Sequence, residues 1–345
     1  MIEFGSDFHM CEEKFVIEND FTQRSIISKI THYANGRLAI SALIAEQKWE
    51  RIWLPSYFCY DVISHIKSTG IQVLFYEDSP LATNDEKVVR TLAFKNGDVL
   101  LRVNYFGLRG TRTNRGIPIP VVEDHTHSIV SDWCKNSDAD WCVASIRKTF
   151  PVAAGGVLWS PKNLALPKQL NSSRECENMA DLRYSAMRMK SDYLIKGGSK
   201  DEFRTRYIFT EQLIESLVNS GMDERSLGII QDFDVTKWFK IKRENWNAII
   251  RGLNQRFKIL RSIETNDMFQ FSLIIQCESN KERDDLRKHL IQNNVYPAIL
   301  WSIPNDSGHK MAMDFSDLML SIHCDARYGH EDMMQLSQIL NAYYD

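Results

Sequence analysis

Ser145-Ile-Arg-Lys-Thr-Phe-Pro-Val-Ala-Ala-Gly-Gly156 is the stretch on which the reading of this chain turns. In it Lys148 is followed by a short apolar turn and then by a glycine pair, which allows positive φ or close backbone approach. About two dozen residues earlier stands Val122-Glu-Asp-His-Thr-His127. An acid closing one apolar strand, with a lysine just past the end of another, is how a pyridoxal phosphate (PLP) site is commonly assembled. The lysine amine can form a Schiff base with the aldehyde. The carboxylate of Asp124 can keep the pyridine nitrogen protonated, so that the ring accepts electrons.

Outward from these two segments, residues 35–160 alternate helical and strand-like patterns, which predicts a βαβ series with a parallel sheet. Gly36-Arg-Leu-Ala-Ile-Ser-Ala-Leu-Ile44 reads as a helix opened by glycine. Strands are predicted at 51–55, 72–76, 98–106, 120–124 and 141–145, with a helix at 60–68. Ligands in such sheets bind beyond the carboxyl ends of the strands. Asp124 and Ser145 fall at such ends and Lys148 lies just beyond. From Arg174 to Leu260 the pattern turns helical and charged (179–193, 203–220, 238–260). It is followed by a strand at 269–277, a helix at 281–292, strands at 295–301 and 318–322, and a closing helix at 331–344. The expected division is a large α/β cofactor-binding domain, 1–220, and a smaller α+β C-terminal domain, 221–345.

The 345 residues are 43% hydrophobic and 25% charged with a net charge of -3, an ordinary globular balance without the basic footprint of a nucleic-acid binder. No apolar run approaches the roughly 20 residues of a membrane span, and the N-terminal residues lack the pattern of a signal peptide. Seven scattered cysteines without a CxxC pair predict reduced thiols in a cytoplasmic compartment. The histidines have no metal-ligand spacing, so no metal is expected.

Each candidate has an ordinary alternative. Lys148 alone would be a solvated cation, and Asp124 alone a turn residue or helix cap. Ser145 at a strand end could bond a phosphate oxygen. His127 could stack beside a ring or be a histidine after a turn; His125 reads as structural or exposed. Gly36, Arg37 and Leu38 could cradle a phosphate, because helix N-termini present free N–H groups, or could simply open a helix. Phe58 and Tyr60 stand where an aromatic could stack on a planar ring, although such residues are more often core.

Taken together, these segments resemble the DegT/DnrJ/StrS family of PLP-dependent aminotransferases, which act mainly on nucleotide-linked keto sugars. The resemblance spans Gly5-Ser-Asp-Phe8 to Leu340. It rests on Gly36-Arg-Leu-Ala-Ile40, Pro55-Ser-Tyr-Phe-Cys59, Asp124-His-Thr-His127, and Ser145 with Lys148 and Gly155-Gly156. It also takes in Arg243-Glu-Asn-Trp246 and Leu320-Ser-Ile-His-Cys-Asp-Ala-Arg-Tyr328.

The resemblance implies the type I aminotransferase fold, with a mainly parallel central sheet flanked by helices and a smaller C-terminal lobe. It also implies a homodimer with shared sites, Lys148 as the Schiff-base residue, Asp124 at the pyridine nitrogen and His127 beside the ring. The expected reaction moves an amino group from an amino acid, L-glutamate by resemblance, to a keto group such as that of a nucleotide-linked sugar in polysaccharide or antibiotic synthesis. A PLP-dependent sugar dehydratase and a non-catalytic or regulatory PLP-fold binding protein are the competing readings.

The chain departs from the family in three places. Ser145 precedes Lys148 by three residues where more familiar members have five. The intersubunit Gly-x-Asn-x-Arg segment has no clear counterpart. Trp301 stands where many members carry a histidine-containing loop.

Overall fold

The computed structural model describes residues 2–5, 7–16, 30–82, 85–261 and 270–344; Ser6 and Phe269, which entered the sequence reading, lie outside them. The large sheet is built from β2 (Ile30–Tyr33), β3 (Arg51–Pro55), β4 (Gln72–Tyr76), β5 (Asp98–Val103), β6 (Val121–Asp124), β7 (Trp141–Ala144) and β8 (Gly156–Trp159); β1 (Phe4–Gly5) lies elsewhere. Its order is β2-β8-β7-β6-β5-β3-β4. Strands β3 to β7 pair in parallel, while β8 runs antiparallel to both β7 and β2. The carboxyl ends of β2, β6 and β7 therefore open on one edge of the sheet. The wholly buried runs Asp98-Val-Leu-Leu-Arg-Val103 and Trp141-Cys-Val-Ala144 explain why these strands read as continuous rather than alternating.

Helix α1 (Gly36–Gln47) begins where Asn35 Oδ1 accepts the Leu38 N–H at 3.0 Å, an N-cap made by the residue before the glycine. Its apolar side, Leu38, Ala39, Ile40, Leu43 and Ile44, packs into the core with Val143 and Leu158 of β7 and β8. Three further helices lie among the strands: α2 (Tyr60–Ser68), α3 (Asp85–Arg90) and α4 (Asp132–Lys135).

Beyond the sheet a long helix, α5 (Arg174–Lys196), is capped by Ser173, whose side chain accepts the Cys176 N–H. It turns at Gly197 into α6 (Asp201–Ser216), which packs back along it. Helices α7 (Glu224–Gln231) and α8 (Val235–Gly252) lead to a small antiparallel sheet of β9 (Lys258–Ile259), β10 (Leu273–Gln276) and β12 (Met319–Ile322), in the order β12-β10-β9. Between these strands come α9 (Asn280–Gln292), β11 (Val295–Tyr296) and α10 (Lys310–Leu318), and α11 (His330–Asn341) closes the chain. A separate apolar cluster joins α8, α9 and α11 to β10 and β12 through Ile249, Leu286, Leu336, Ile275 and Leu320. The first described strand belongs here too: β1 pairs in parallel with β11.

The helix expected at 238–260 ends at Gly252, because Lys258–Ile259 is drawn into the small sheet beside Ile275 and Gln276. The strand expected at 295–301 keeps its pairing only at Val295–Tyr296, with a single further bridge from Ala298 to Ser321. All seven cysteines are free and six are buried. No described helix is long and apolar enough to cross a membrane.

Candidate active site

The carboxyl ends of β2, β6 and β7 frame a cavity of about 210 Å³. Asp124, the last residue of β6, and Lys148, in the turn just past β7, both line it. Local hydrogen bonds fix both. The Thr126 N–H donates to Asp124 Oδ1 at 2.8 Å, and the Ser145 N–H donates to Thr126 Oγ1 at 2.9 Å, tying the two strand-end loops together. The Lys148 N–H closes a tight turn onto the Ser145 carbonyl at 3.1 Å.

Gly36, Arg37 and Ser145 also line the cavity. Gly156 explains how these segments meet. A Cβ on Gly156 would lie 2.2 Å from the Asn35 carbonyl carbon and oxygen and 2.6 Å from the Gly36 nitrogen. Only glycine lets β8 touch the entry of α1 so closely. Gly155 has φ +151°, and a Cβ there would strike Ile146 at 2.5 Å. The glycine pair thus serves the loop as backbone room rather than as ligand contacts.

Flat side chains form another part of the wall. Phe58, His127, Phe271 and Trp301 line the cavity. His127 lies nearly parallel to Trp301, with centroids 5.3 Å apart and planes 18° apart, and sits 4.5 Å from the Phe271 ring. Its Nδ1 accepts the Phe106 N–H at 3.2 Å. Burial, reinforced by Lys242 and Lys148, lowers the His127 ring to about 3, so it is neutral in this site.

The charges are set by their surroundings. Burial raises Asp124 above the ordinary carboxylate range. Lys148 is accessible, but the surface it exposes is cavity wall. The adjacent Arg147 guanidinium, together with burial, brings its amine down to about 8. An amine near 8 is partly unprotonated at neutral pH, the condition a nucleophilic lysine needs.

Of the residues expected from sequence, Gly36, Arg37, Phe58, Asp124, His127, Ser145 and Lys148 are brought together around this cavity. Leu38 and Tyr60 are not. Leu38 is core and its amide is taken by Asn35, and Tyr60, the first residue of α2, packs beside the same core cluster. Sequence reasoning missed Asn35, Cys59, Asp61, Thr126, Arg147, Glu211 and Glu215 as lining residues. Thr126 stood in plain view inside the Asp-x-x-His segment. Glu211 and Glu215 come from α6, which carries no local signal of a site.

His125 proves fully buried, its Nε2 3.0 Å from Glu123 Oε2. Glu123, His125 and Cys142 form the one compact group of metal-ligand types among the described residues. Glu123 is already bonded by Asn114 at 2.7 Å and Ser137 at 2.6 Å, so the group reads as an internal hydrogen-bond network.

No family profile and no curated protein sequence matches the chain. Solved structures do. The PMP form of Spr1654 from Streptococcus pneumoniae, a candidate sugar aminotransferase, is similar over 99% of this chain and 97% of its own, at TM-score 0.66 and 10% identity. A DegT DnrJ EryC1 StrS aminotransferase from Brucella abortus matches over 96% and 92%, at TM-score 0.60 and 12% identity. The sugar aminotransferase CalS13 from Micromonospora echinospora matches over 91% and 87%, at TM-score 0.57 and 12% identity. The chain therefore has the fold of these aminotransferases, the architecture expected from its sequence.

Proposed function

We propose that this chain is a divergent member of the DegT/DnrJ/StrS group and works as a PLP-dependent aminotransferase. The amino donor is L-glutamate and the acceptor is the keto group of a nucleotide-linked sugar. One observation carries the reading: an amine lowered to about 8 and a buried carboxylate line the same small cavity at the strand ends of an aminotransferase fold.

The residues present suit the cofactor. The amides of Gly36 and Arg37, at the positive end of α1, have no hydrogen-bond partner among the described residues and would hold a phosphate with Ser145. Asn104 Oδ1, a buried acceptor with no partner, also belongs to a cavity-lining residue. When bound, PLP supplies an electron sink for the carbanion at the donor's α-carbon.

Everything else falls to the protein. Lys148 Nζ is the covalent anchor and the base that takes up and returns the α-proton, a role typically worth about 10²–10⁴ in rate. Asp124, whose charge is disfavoured by burial, would be the residue to face the ring nitrogen of the cofactor, where a carboxylate would keep that nitrogen protonated. His127, neutral and flanked by Trp301 and Phe271, presents a flat apolar wall that orients a planar ligand and excludes water.

We further read the chain as a cytoplasmic homodimer, divided near residue 220. The wild-type protein incubated with PLP and reduced with borohydride should carry one stable label, located on Lys148. It should also release 2-oxoglutarate from glutamate, which a dehydratase would not do. Lys148→Ala should lose both the label and the amino transfer; a variant that keeps full turnover refutes the proposal.

A further inference from the structure

Lys242 is a buried cation that nothing described so far uses. It lies on α8, is 4% exposed, and makes no hydrogen bond or ion pair among the described residues. Its Nζ stands over two rings, 5.6 Å from the centre of Phe239 and 5.3 Å from that of Phe271. The acid that acts on it, Asp325, is taken: Arg327 donates from Nε to Oδ1 and from Nη2 to Oδ2, both at 2.9 Å. Neighbouring Cys324 carries no charge, because burial raises its thiol to about 12. A buried ammonium without an anion costs stability, and proteins keep such groups mainly where function requires them.

Its position suggests the use. Phe271 and His127 line the cavity with their rings 4.5 Å apart, so the Lys242 amine stands one side chain behind the cavity wall.

The cavity's own cations are already engaged. Arg37 lies 3.6 Å from Glu215. Arg147 is forked onto Glu211 at 2.9 and 3.1 Å. Glu211 also meets Arg183 at 2.9 Å, and Arg183 meets Asp7 at 2.9 Å. Two guanidiniums and two carboxylates make this a balanced set. Lys148 is committed to the cofactor. An amino-acid donor brings at least one carboxylate into this space, and no cation lining the cavity is free to receive it.

We propose that Lys242 binds a carboxylate of the amino-acid donor and so helps decide which donors are accepted. The proposal deepens the aminotransferase reading and rests on it for the identity of the ligand. The flexible four-carbon stem lets Nζ swing past the edge of Phe271 to the cavity, where it meets the incoming anion. The ion pair formed there supplies the partner that the buried ammonium lacks.

Removing the amine should therefore act oppositely on stability and on donor binding. In Lys242→Met the stem volume is kept and the sulfur gains contact with the Phe239 and Phe271 rings. Its melting temperature should rise by at least about 1 °C. In the PLP-loaded protein, KM for glutamate should rise at least about tenfold while kcat changes by less than about threefold. Glutarate, a dicarboxylate with no amine to react, should inhibit at least about tenfold more weakly. Lys240→Met, at an exposed position on the same helix, is the control and should leave both constants unchanged.

A lysine kept for packing predicts the reverse, a lower melting temperature with both constants unaltered. If Lys242→Met fails to fold, Lys242→Gln takes its place and is judged on the two constants alone. Constants that stay within about threefold of wild type in a folded variant overturn the proposal, including the case in which a second subunit supplies the cation. A wild-type chain that takes no PLP on Lys148 would end the aminotransferase reading. Calorimetric titration of wild type and Lys242→Met with glutarate would still decide whether Lys242 holds a carboxylate.

Discussion

Gly156→Ala is the sharpest test of how the proposed phosphate cradle is built. The added Cβ would sit 2.2 Å from two backbone atoms of Asn35, where an ordinary contact begins at 3.4 Å, so β8 and the entry of α1 must part by about 1.2 Å. The clash is with backbone, which cannot rotate aside as a side chain would. Moving it also strains the neighbouring bond from the Gly155 N–H to the Ala34 carbonyl, now 2.8 Å. Overpacking of this kind costs about 1–3 kcal/mol. With an unfolding entropy of roughly 2.1 cal/mol/K per residue over this length, the melting temperature should fall by about 1.5–4 °C.

Cofactor affinity should suffer more than stability, because the displaced segment carries Gly36 and Arg37. PLP binding, followed by quenching of tryptophan emission, should weaken at least about tenfold, equivalent to about 1.4 kcal/mol. Gly228→Ala is the control: it lies in α7, nothing stands within 4 Å of its would-be Cβ, and it should be neutral or slightly stabilising. A Gly156→Ala protein that melts and binds PLP like wild type would refute the idea that this glycine shapes the cradle.

Three further outcomes are expected. Asp124→Asn should still bind PLP but lose at least about a hundredfold in turnover, since a neutral amide cannot hold the ring proton; stopped-flow with glutamate measures this. Trp301→Ala removes one face of the aromatic wall and should weaken PLP binding several-fold while Lys148 labelling persists, as binding titration and mass spectrometry would show. His127 titrates near 6.5 when unfolded but at about 3 in the fold, so the unfolded chain binds more protons between those values and stability falls as pH drops through that window. His127→Gln should therefore flatten the fall in melting temperature between pH 6.5 and 4.5, although His9 and His323, also held low by burial, keep part of the slope.

The sheet and the centre of the site were legible because they obey local rules. Apolar runs that end in a polar residue mark buried parallel strands, and Asp124, Ser145 and Lys148 stand at or just past such ends. The Gly155-Gly156 pair signalled backbone closeness, although not which backbone. Tyr60 and Leu38 were misplaced by one register step: the helices begin so that Phe58 and Cys59, or Gly36 and Arg37, face the cavity while their neighbours turn to the core. The α6 carboxylates could not be read, since Glu211 meets Arg147 across 64 positions of sequence and looks locally like any helix-surface acid. Lys258–Ile259 was lost for a similar reason, as a two-residue strand exists only by virtue of its partner.

The pairing of Phe4–Gly5 with Val295–Tyr296 has a consequence for biosynthesis. About 290 residues must leave the ribosome before that partner exists, and at 5–20 residues per second this takes roughly 15–60 s. The Gly5 amide also waits for the Tyr328 hydroxyl, which it meets at 2.9 Å. Phe4 and Gly5 thus stay undocked while the roughly 290 residues that follow them are made, and the seam they form with β11 closes late.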